Sequence, residues 1–131
     1  MNTKNTKTAY FLLRVSMGIN LFGHGLVRVI KLHDFAEGIT DSFEESWLPA
    51  SFVYTFSTVL PFLEFIIGLL LMIGFKTRIT AISGALLIIF LLFGSSTVEN
   101  WEAMGFQMIY AGLFYILISR IDDNYLAFDS K

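Results

Sequence analysis

Long apolar stretches alternate with short polar ones along the whole chain. Four of the apolar stretches, near residues 9–30, 52–75, 79–98 and 104–121, are each long enough to cross a membrane as a helix. A helix rises about 1.5 Å per residue, so about 20 residues span a hydrocarbon core roughly 30 Å thick. The pattern predicts an all-α protein, an integral membrane four-helix bundle that residues 1–131 form as a single domain.

The connection between the first two apolar stretches has a pattern of its own. Between residues 31 and 51, acidic residues alternate with apolar ones that recur every four positions, namely Phe35, Ile39, Phe43 and Trp47. A spacing of four drifts by only about 40° per step around a helix, so these groups share one face. We predict a short interfacial helix in this connection, on the membrane surface or over the mouth of the bundle. The alternative is an irregular loop with scattered aromatic residues.

Composition narrows the class of protein further. The chain is 55% hydrophobic and 16% aromatic, which is too apolar for a soluble domain of 131 residues. It has no cysteine, which excludes thiolate nucleophiles, iron–sulfur clusters and cysteine-based zinc sites, and we expect no metal. His24 and His33 lie at the same end of the first stretch, so they cannot hold a haem between facing helices. The net charge of −2 and the absence of a basic run argue against a nucleic-acid partner.

The basic residues are unevenly distributed between the two sides of the predicted bundle. One side has only Lys31, with Arg28 at a helix end, whereas the other has Lys4, Lys7, Lys76, Arg78, Arg120 and Lys131. Cytoplasmic connections carry the excess of Lys and Arg, so we predict that both termini are cytoplasmic. Most acidic residues fall in the two connections on the outer side, which makes that face strongly negative.

Glu64 is the one acidic residue within the four apolar stretches. A charged residue at the centre of a membrane helix costs roughly 2.5–3.5 kcal/mol, so such residues face a partner or a cavity. Two helix faces that carry polar and small residues should meet here. The face of the first stretch consists of Arg14, Gly18, His24, Gly25 and Arg28. The face of the second stretch consists of Ser57, Pro61, Glu64 and Gly68. From depth along the helices we expect Arg14 or His24 to reach Glu64. We expect Arg28 to reach the interface or an outer carboxylate.

Two interpretations of this cluster stay open. It is either a buried ion pair that fixes the register of two helices, or a polar pocket that holds a ligand headgroup or relays a proton. In the second interpretation His24 titrates near neutral pH and Glu64 accepts its proton. Gln107 and Tyr110 share a face near the outer end of the fourth stretch, where they could line the mouth of the pocket.

The order of these residues resembles the DoxX family of small four-helix membrane proteins. The resemblance rests on Arg14-x-x-x-Gly18 and His24-Gly25-x-x-Arg28, and on Pro61-x-x-Glu64-x-x-x-Gly68 followed by Gly74-x-x-Thr77-Arg78. It covers the first two stretches by motif and the last two only by length and hydropathy. Arg28 stands where the family more usually has Lys, which keeps the charge.

The resemblance implies a multi-pass subunit of the bacterial cytoplasmic (inner) membrane that is associated with an oxidoreductase, as in thiosulfate:quinone oxidoreductase. Quinone would then be the cofactor, with Glu64, His24 and Arg14 near its headgroup and with Glu64 and His24 as the candidates for handling protons. The residues themselves add Arg28, Gln107 and Tyr110 to the binding candidates. The alternative is a non-enzymatic membrane scaffold or accessory protein that docks a partner through its acidic outer connection. Besides the lipid bilayer, a soluble or periplasmic protein and a homo-oligomer stay open as partners.

Overall fold

The computed structural model describes residues 2–130, which form four long helices, one short helix and two single-turn 3-10 helices. The α-helices are α1 (Thr3–Ile30), α2 (Leu32–Ser42), α3 (Ala50–Ile73), α4 (Thr77–Thr97) and α5 (Trp101–Ser119). The predicted all-α bundle is therefore confirmed. Lys131, which was counted among the cytoplasmic charges, lies outside the described residues.

Three helices in the described part of the chain are long and apolar enough to cross a membrane: α3, α4 and α5. α1 is not among them, although its 28 residues would be long enough. Its polar residues, among them Arg14, Asn20 and His24, lower its mean hydropathy. The buried face of α1 is mixed, because Arg14, Gly18 and Gly25 share it with apolar side chains such as those of Met17 and Leu21.

Helices α1 and α3 are antiparallel and pack backbone to backbone. A Cβ atom added at Gly18 would lie 2.8 Å from the backbone nitrogen of Met72, and one added at Gly25 would collide with the backbone of Phe65. Glycine at these positions lets the two helices approach closely, as is common in membrane bundles. The contact sets the register, with residue 18 at the level of residues 68–72 and residue 25 at the level of residues 61–65.

The predicted interfacial helix is present as α2. It packs against α3, with Ala36 buried and the side chains of Phe35, Ile39 and Phe43 half-buried. Trp47 lies beyond the end of this helix, and its ring meets that of Phe93 edge-on, with the centroids 6.0 Å apart. We call this end of the bundle the α2 end and the opposite end, where α1 begins and α5 ends, the terminal end.

The C-terminal segment folds back over the terminal end and closes it. Gly74 ends α3 in the left-handed conformation, with a φ of 71°, and α4 begins three residues later. The carboxylate of Asp129 accepts hydrogen bonds from the backbone N–H groups of Lys76 (2.6 Å) and Thr77 (2.7 Å). A residue far along the chain therefore supplies the cap of α4, which satisfies N–H groups that have no partner within the helix.

Candidate functional site

Glu64 forms an ion pair with Arg28. Nη1 of Arg28 donates to both carboxylate oxygens of Glu64, at 2.7 and 3.0 Å. The Glu64 side chain is 5% exposed and that of Arg28 is 32% exposed, so the carboxylate is buried while the guanidinium still reaches open space. The guanidinium also lies over the ring of Phe35, with its carbon 4.7 Å from the centroid. Arg28 thus joins α1, α2 and α3.

The expectation that Arg14 would meet Glu64 is wrong. Arg14 lies at the level of Gly74, ten residues from Glu64 along α3, which is about 15 Å at 1.5 Å per residue. Side chains in a helix lean toward its N-terminus, so Arg14 leans toward the terminal end. In antiparallel helices the same lean brings Arg28 and Glu64 toward each other. Arg28 therefore pairs with Glu64 and not with an outer carboxylate.

Arg14 instead holds the C-terminal segment. Its Nη1 donates to Oδ1 of Asn124 at 2.7 Å, and its Nη2 donates to the carbonyl of Leu126 at 3.0 Å. Nδ2 of Asn124 in turn donates to Oγ1 of Thr77 at 3.1 Å. Arg14 is completely buried in this network, at the end of the bundle opposite the Arg28–Glu64 pair. It is placed to stabilise the fold rather than to bind a ligand beside Glu64.

His24 and Tyr110 make no hydrogen bond with Arg28 or Glu64. His24 is exposed and makes no hydrogen bond with another residue of the 2–130 range, since Gly25 is the residue that faces α3. Tyr110 is half-buried and packs against the hydrophobic core. Neither side chain lines the cavity described next, so their predicted role in binding gains no support from this arrangement.

A cavity of about 680 Å³ lies at the α2 end, above the Arg28–Glu64 pair. All five helices or the connections between them contribute to its wall, which is mainly apolar and rich in phenylalanine. Phe35 and Phe43 come from α2 and its end, Phe52 and Phe56 from α3, and Phe90 from α4. The volume lies within the range of roughly 300–1,000 Å³ that is typical of small-molecule sites.

A few polar groups interrupt this apolar wall. Arg28 and Ser57 lie on one part of it, and Ser95 and Gln107 on another. Nε2 of Gln107 donates to Oγ of Ser95 at 2.9 Å, while Oε1 of Gln107 is buried without a hydrogen-bond partner among residues 2–130. Gln107 thus lines the cavity, next to Ser95. A buried acceptor without a donor is costly, and this one is shielded from the cavity as well as from the protein surface.

The cavity opens toward the apolar surface of the bundle. Phe52, Phe90 and Phe93 line it and are also 55%, 62% and 53% exposed. Phe90 lies seven residues before the end of α4, which places it about 10 Å below that end. The cavity is therefore bordered by exposed apolar side chains and not by a polar rim on this side.

Several residues of the cavity wall and of the terminal end were not singled out from the sequence as candidates. Ser95 precedes two further hydroxyl residues near the end of α4, and hydroxyl groups so close to a helix end are ordinary. Asn124 and Asp129 belong to a short polar segment without periodicity. Asn124 has a role because it pairs with a buried arginine, and Asp129 because it caps the start of a helix. Both contacts join distant parts of the chain, so the local sequence pattern does not predict them.

Comparison with known proteins supplies one match. Residues 9–99 match the family model described as DoxX, which covers most of α1 and all of α2 to α4 and leaves out α5 and the C-terminal segment. No curated protein and no solved structure matches the chain. The matched region includes both members of the Arg28–Glu64 pair and most of the cavity wall, while Asn100, Ala103 and Gln107 lie beyond it. The chain is a multi-pass membrane protein that belongs to the DoxX family.

Proposed function

We propose that this protein is the membrane subunit of an oxidoreductase system and holds a quinone in the cavity at the α2 end. The observation that carries the proposal is the cavity itself, which opens toward lipid and is mainly apolar, with a guanidinium beside a buried carboxylate at its base. An isoprenoid quinone has a matching shape, with an apolar tail and a ring bearing two carbonyl acceptors. Bound there, a quinone would supply two-electron chemistry that the side chains of a cysteine-free chain lack.

The residues around the cavity fit such a ring. Arg28 uses Nη1 for Glu64, and its remaining N–H groups make no hydrogen bond with another described residue, so they are free to donate to a ring carbonyl. The aromatic side chains of Phe35 and Phe56 offer flat apolar surface for the ring. Glu64 holds Arg28 in place and would be the carboxylate that takes up or gives a proton as the ring changes its redox state.

The proposal is tested by binding. Trp47 contacts the cavity wall through Phe93, and Trp101 lies beside the lining residues Asn100 and Ala103. A quinone in the cavity should therefore quench tryptophan fluorescence of the protein in nanodiscs. We expect saturable quenching by a decyl-substituted benzoquinone.

A matched pair of variants shows whether the quencher occupies the cavity. Gly94 lines it, and Gly94→Leu should fill the space and weaken binding at least tenfold, whereas Gly105→Leu lies where nothing is within 4 Å and should bind like the wild type. Quenching that does not saturate, or that is equal in both variants, would show that the quinone dissolves in the bilayer rather than binding the cavity. Protein purified from its native membrane should also carry extractable quinone.

A second candidate function is that of a non-enzymatic scaffold that docks a basic partner. It is favoured by the outward face of α2 and the turn after it, where every acidic side chain is exposed: Asp34, Glu37, Asp41, Glu44 and Glu45. Charge reversal at Glu37 and Asp41 separates the two functions, because it should abolish partner docking yet leave quinone binding within twofold. Loss of activity on charge reversal together with unchanged activity of Gly94→Leu would favour the scaffold.

The proposed orientation places both termini in the cytoplasm of a bacterial cell, because the terminal end carries five described basic residues: Lys4, Lys7, Lys76, Arg78 and Arg120. Since the chain has no cysteine, single cysteines can report orientation without background. In intact spheroplasts, an impermeant maleimide should label Ser42→Cys and should not label Ser130→Cys. The opposite labelling would reverse the orientation.

A further inference from the structure

We infer that a second copy of this chain docks side by side with the first in the membrane, through the outward face of α1. Residues that are not buried recur along α1 with alternating steps of three and four: Leu13, Ser16, Asn20, Gly23, Val27 and Ile30. Such steps form the seam along which two helices pack as a left-handed coiled coil, a common geometry for membrane helices. We call these residues the α1 seam. None of them lines the cavity, so the interface is independent of quinone binding.

Asn20, in the middle of the α1 seam, lies at membrane depth without a partner. It is level with Gly68 of α3, because a Cβ atom added at Gly68 would collide with the backbone of α1 on either side of Asn20, at Gly18 and Phe22. Its side chain is half-buried and makes no hydrogen bond with another residue of the 2–130 range. α3 is long and apolar enough to cross the membrane, and the hydrocarbon around it offers an amide no hydrogen bonds. Asn20 therefore indicates a contact outside this chain.

His24 flanks the α1 seam and is in the same situation one turn further along the helix. It precedes Gly25, which packs against residues 61–65 in the middle of α3, yet it is exposed and has no hydrogen-bond partner among the described residues. A soluble protein does not reach this depth, and acyl chains form no hydrogen bonds. Polar side chains within a membrane pair with one another across helices. The group that covers this face is therefore a membrane helix.

A second copy of α1 supplies the polar groups that this face lacks. Two copies inserted in the same orientation, related by a twofold axis along the membrane normal, bring equal residues together at equal depth. Asn20 would then meet its own counterpart, and because an amide has both a donor and an acceptor, the symmetric pair is satisfied with either orientation of the amide. An asparagine in such a seam also fixes the register and the number of helices. Gly23 permits the close approach, since nothing lies within 4 Å of a Cβ atom added there.

Disulfide crosslinking in native membranes tests the position of the interface, because the chain has no cysteine of its own. Ser16→Cys and Val27→Cys lie on the α1 seam and should give disulfide-linked dimers on oxidation, since a disulfide requires Cβ atoms about 4 Å apart. Leu69→Cys is the control, because Leu69 is 40% exposed on α3 and follows Gly68, which is level with Asn20. It should give no dimer beyond chance collisions. Equal crosslinking at every position, crosslinking at none, or a crosslink to a different protein would overturn the inference.

The strength of association tests the residues themselves. Protein labelled at Ser42→Cys with a donor or an acceptor dye is mixed in liposomes, and energy transfer is followed as the protein is diluted with lipid. Asn20→Leu removes the amide at similar volume and should weaken association about tenfold, the order expected for one hydrogen bond between membrane helices.

A matched pair of glycine variants separates the interface from the fold. Gly23→Leu should hold the two copies apart and weaken association at least as much as Asn20→Leu does. Gly112→Leu, on α5, should associate like the wild type. Nothing lies within 4 Å of a Cβ atom added at either glycine, so neither change disturbs a single copy. A wild type that stays monomeric at every dilution, or equal effects of the two glycine variants, would refute the docking of a second copy on this face.

Discussion

Removing one member of the Arg28–Glu64 pair should destabilise the protein far more than removing an exposed charge. The charge centres lie about 4 Å apart, an attraction of about 4 kcal/mol at an effective dielectric constant near 20. Loss of one partner of a buried pair typically costs about 3–5 kcal/mol. Because the Arg28 side chain is 32% exposed, water recovers part of this cost. We therefore expect Glu64→Gln to lower the free energy of unfolding by about 2–3 kcal/mol, a roughly 30- to 150-fold shift in the folding equilibrium.

A double-mutant cycle isolates the contribution of the pair itself. Glu64→Gln, Arg28→Met and the double variant are compared in mixed micelles, with unfolding by SDS followed by circular dichroism. Arg28→Met should lower the free energy of unfolding by about 0.5–1 kcal/mol more than Glu64→Gln does, because the guanidinium of Arg28 also lies over Phe35. The double variant should be more stable than the sum of the single changes predicts, by about 2 kcal/mol. Lys31→Met, an exposed cation three residues away, is the control. A coupling energy below about 0.5 kcal/mol would refute the pairing.

Three further predictions concern the rest of the bundle. Gly25→Ala should destabilise the protein by about 1–3 kcal/mol, because its methyl group collides with the α3 backbone, whereas Gly23→Ala on the open side of α1 should be neutral or stabilising; equal effects would contradict the packing. Arg14→Lys should cost about 2–4 kcal/mol and expose the C-terminal segment to protease, since a lysine cannot make both hydrogen bonds; an unchanged cleavage rate would contradict this. Burial raises the pKa of Asp129, but hydrogen bonds from Thr77 and Lys76 outweigh it and hold the pKa below its ordinary value of 3.8. The stabilisation of the fold by the ionised Asp129 should be complete above about pH 4 and disappear as the pH falls through the lowered pKa. The difference in unfolding midpoint between wild type and Asp129→Asn should therefore shrink on acidification. A difference that stays constant would rule this out.

The helices could be predicted from the sequence because their cause is local. A run of apolar residues of sufficient length forms a membrane helix whatever surrounds it, and the four-residue spacing of Phe35, Ile39 and Phe43 is enough to predict α2. The ends of the predicted segments differ from the observed helices by a few residues. The polar residues at those ends, such as Thr3 and Trp101, continue the helices beyond the apolar runs.

The partner of Glu64 could not be predicted in the same way. The predicted depths assumed that each helix is centred in the membrane, whereas the glycine contacts between α1 and α3 fix a different register. The lean of side chains toward the helix N-terminus then favours Arg28 over Arg14. The cavity was also beyond prediction, because its volume depends on how five segments pack together. Gln107 lines this cavity, whereas Tyr110 on the same helix does not.

The hydrogen bond between Arg14 and Asn124 joins residues 110 positions apart. At a translation rate of roughly 5–20 residues per second, the ribosome needs about 5 to 20 s to make the intervening chain. During that interval the first helix carries a guanidinium whose native acceptors do not yet exist. The native contacts of this guanidinium are therefore completed only after residues 124–126 have been made, although the helices emerge one by one.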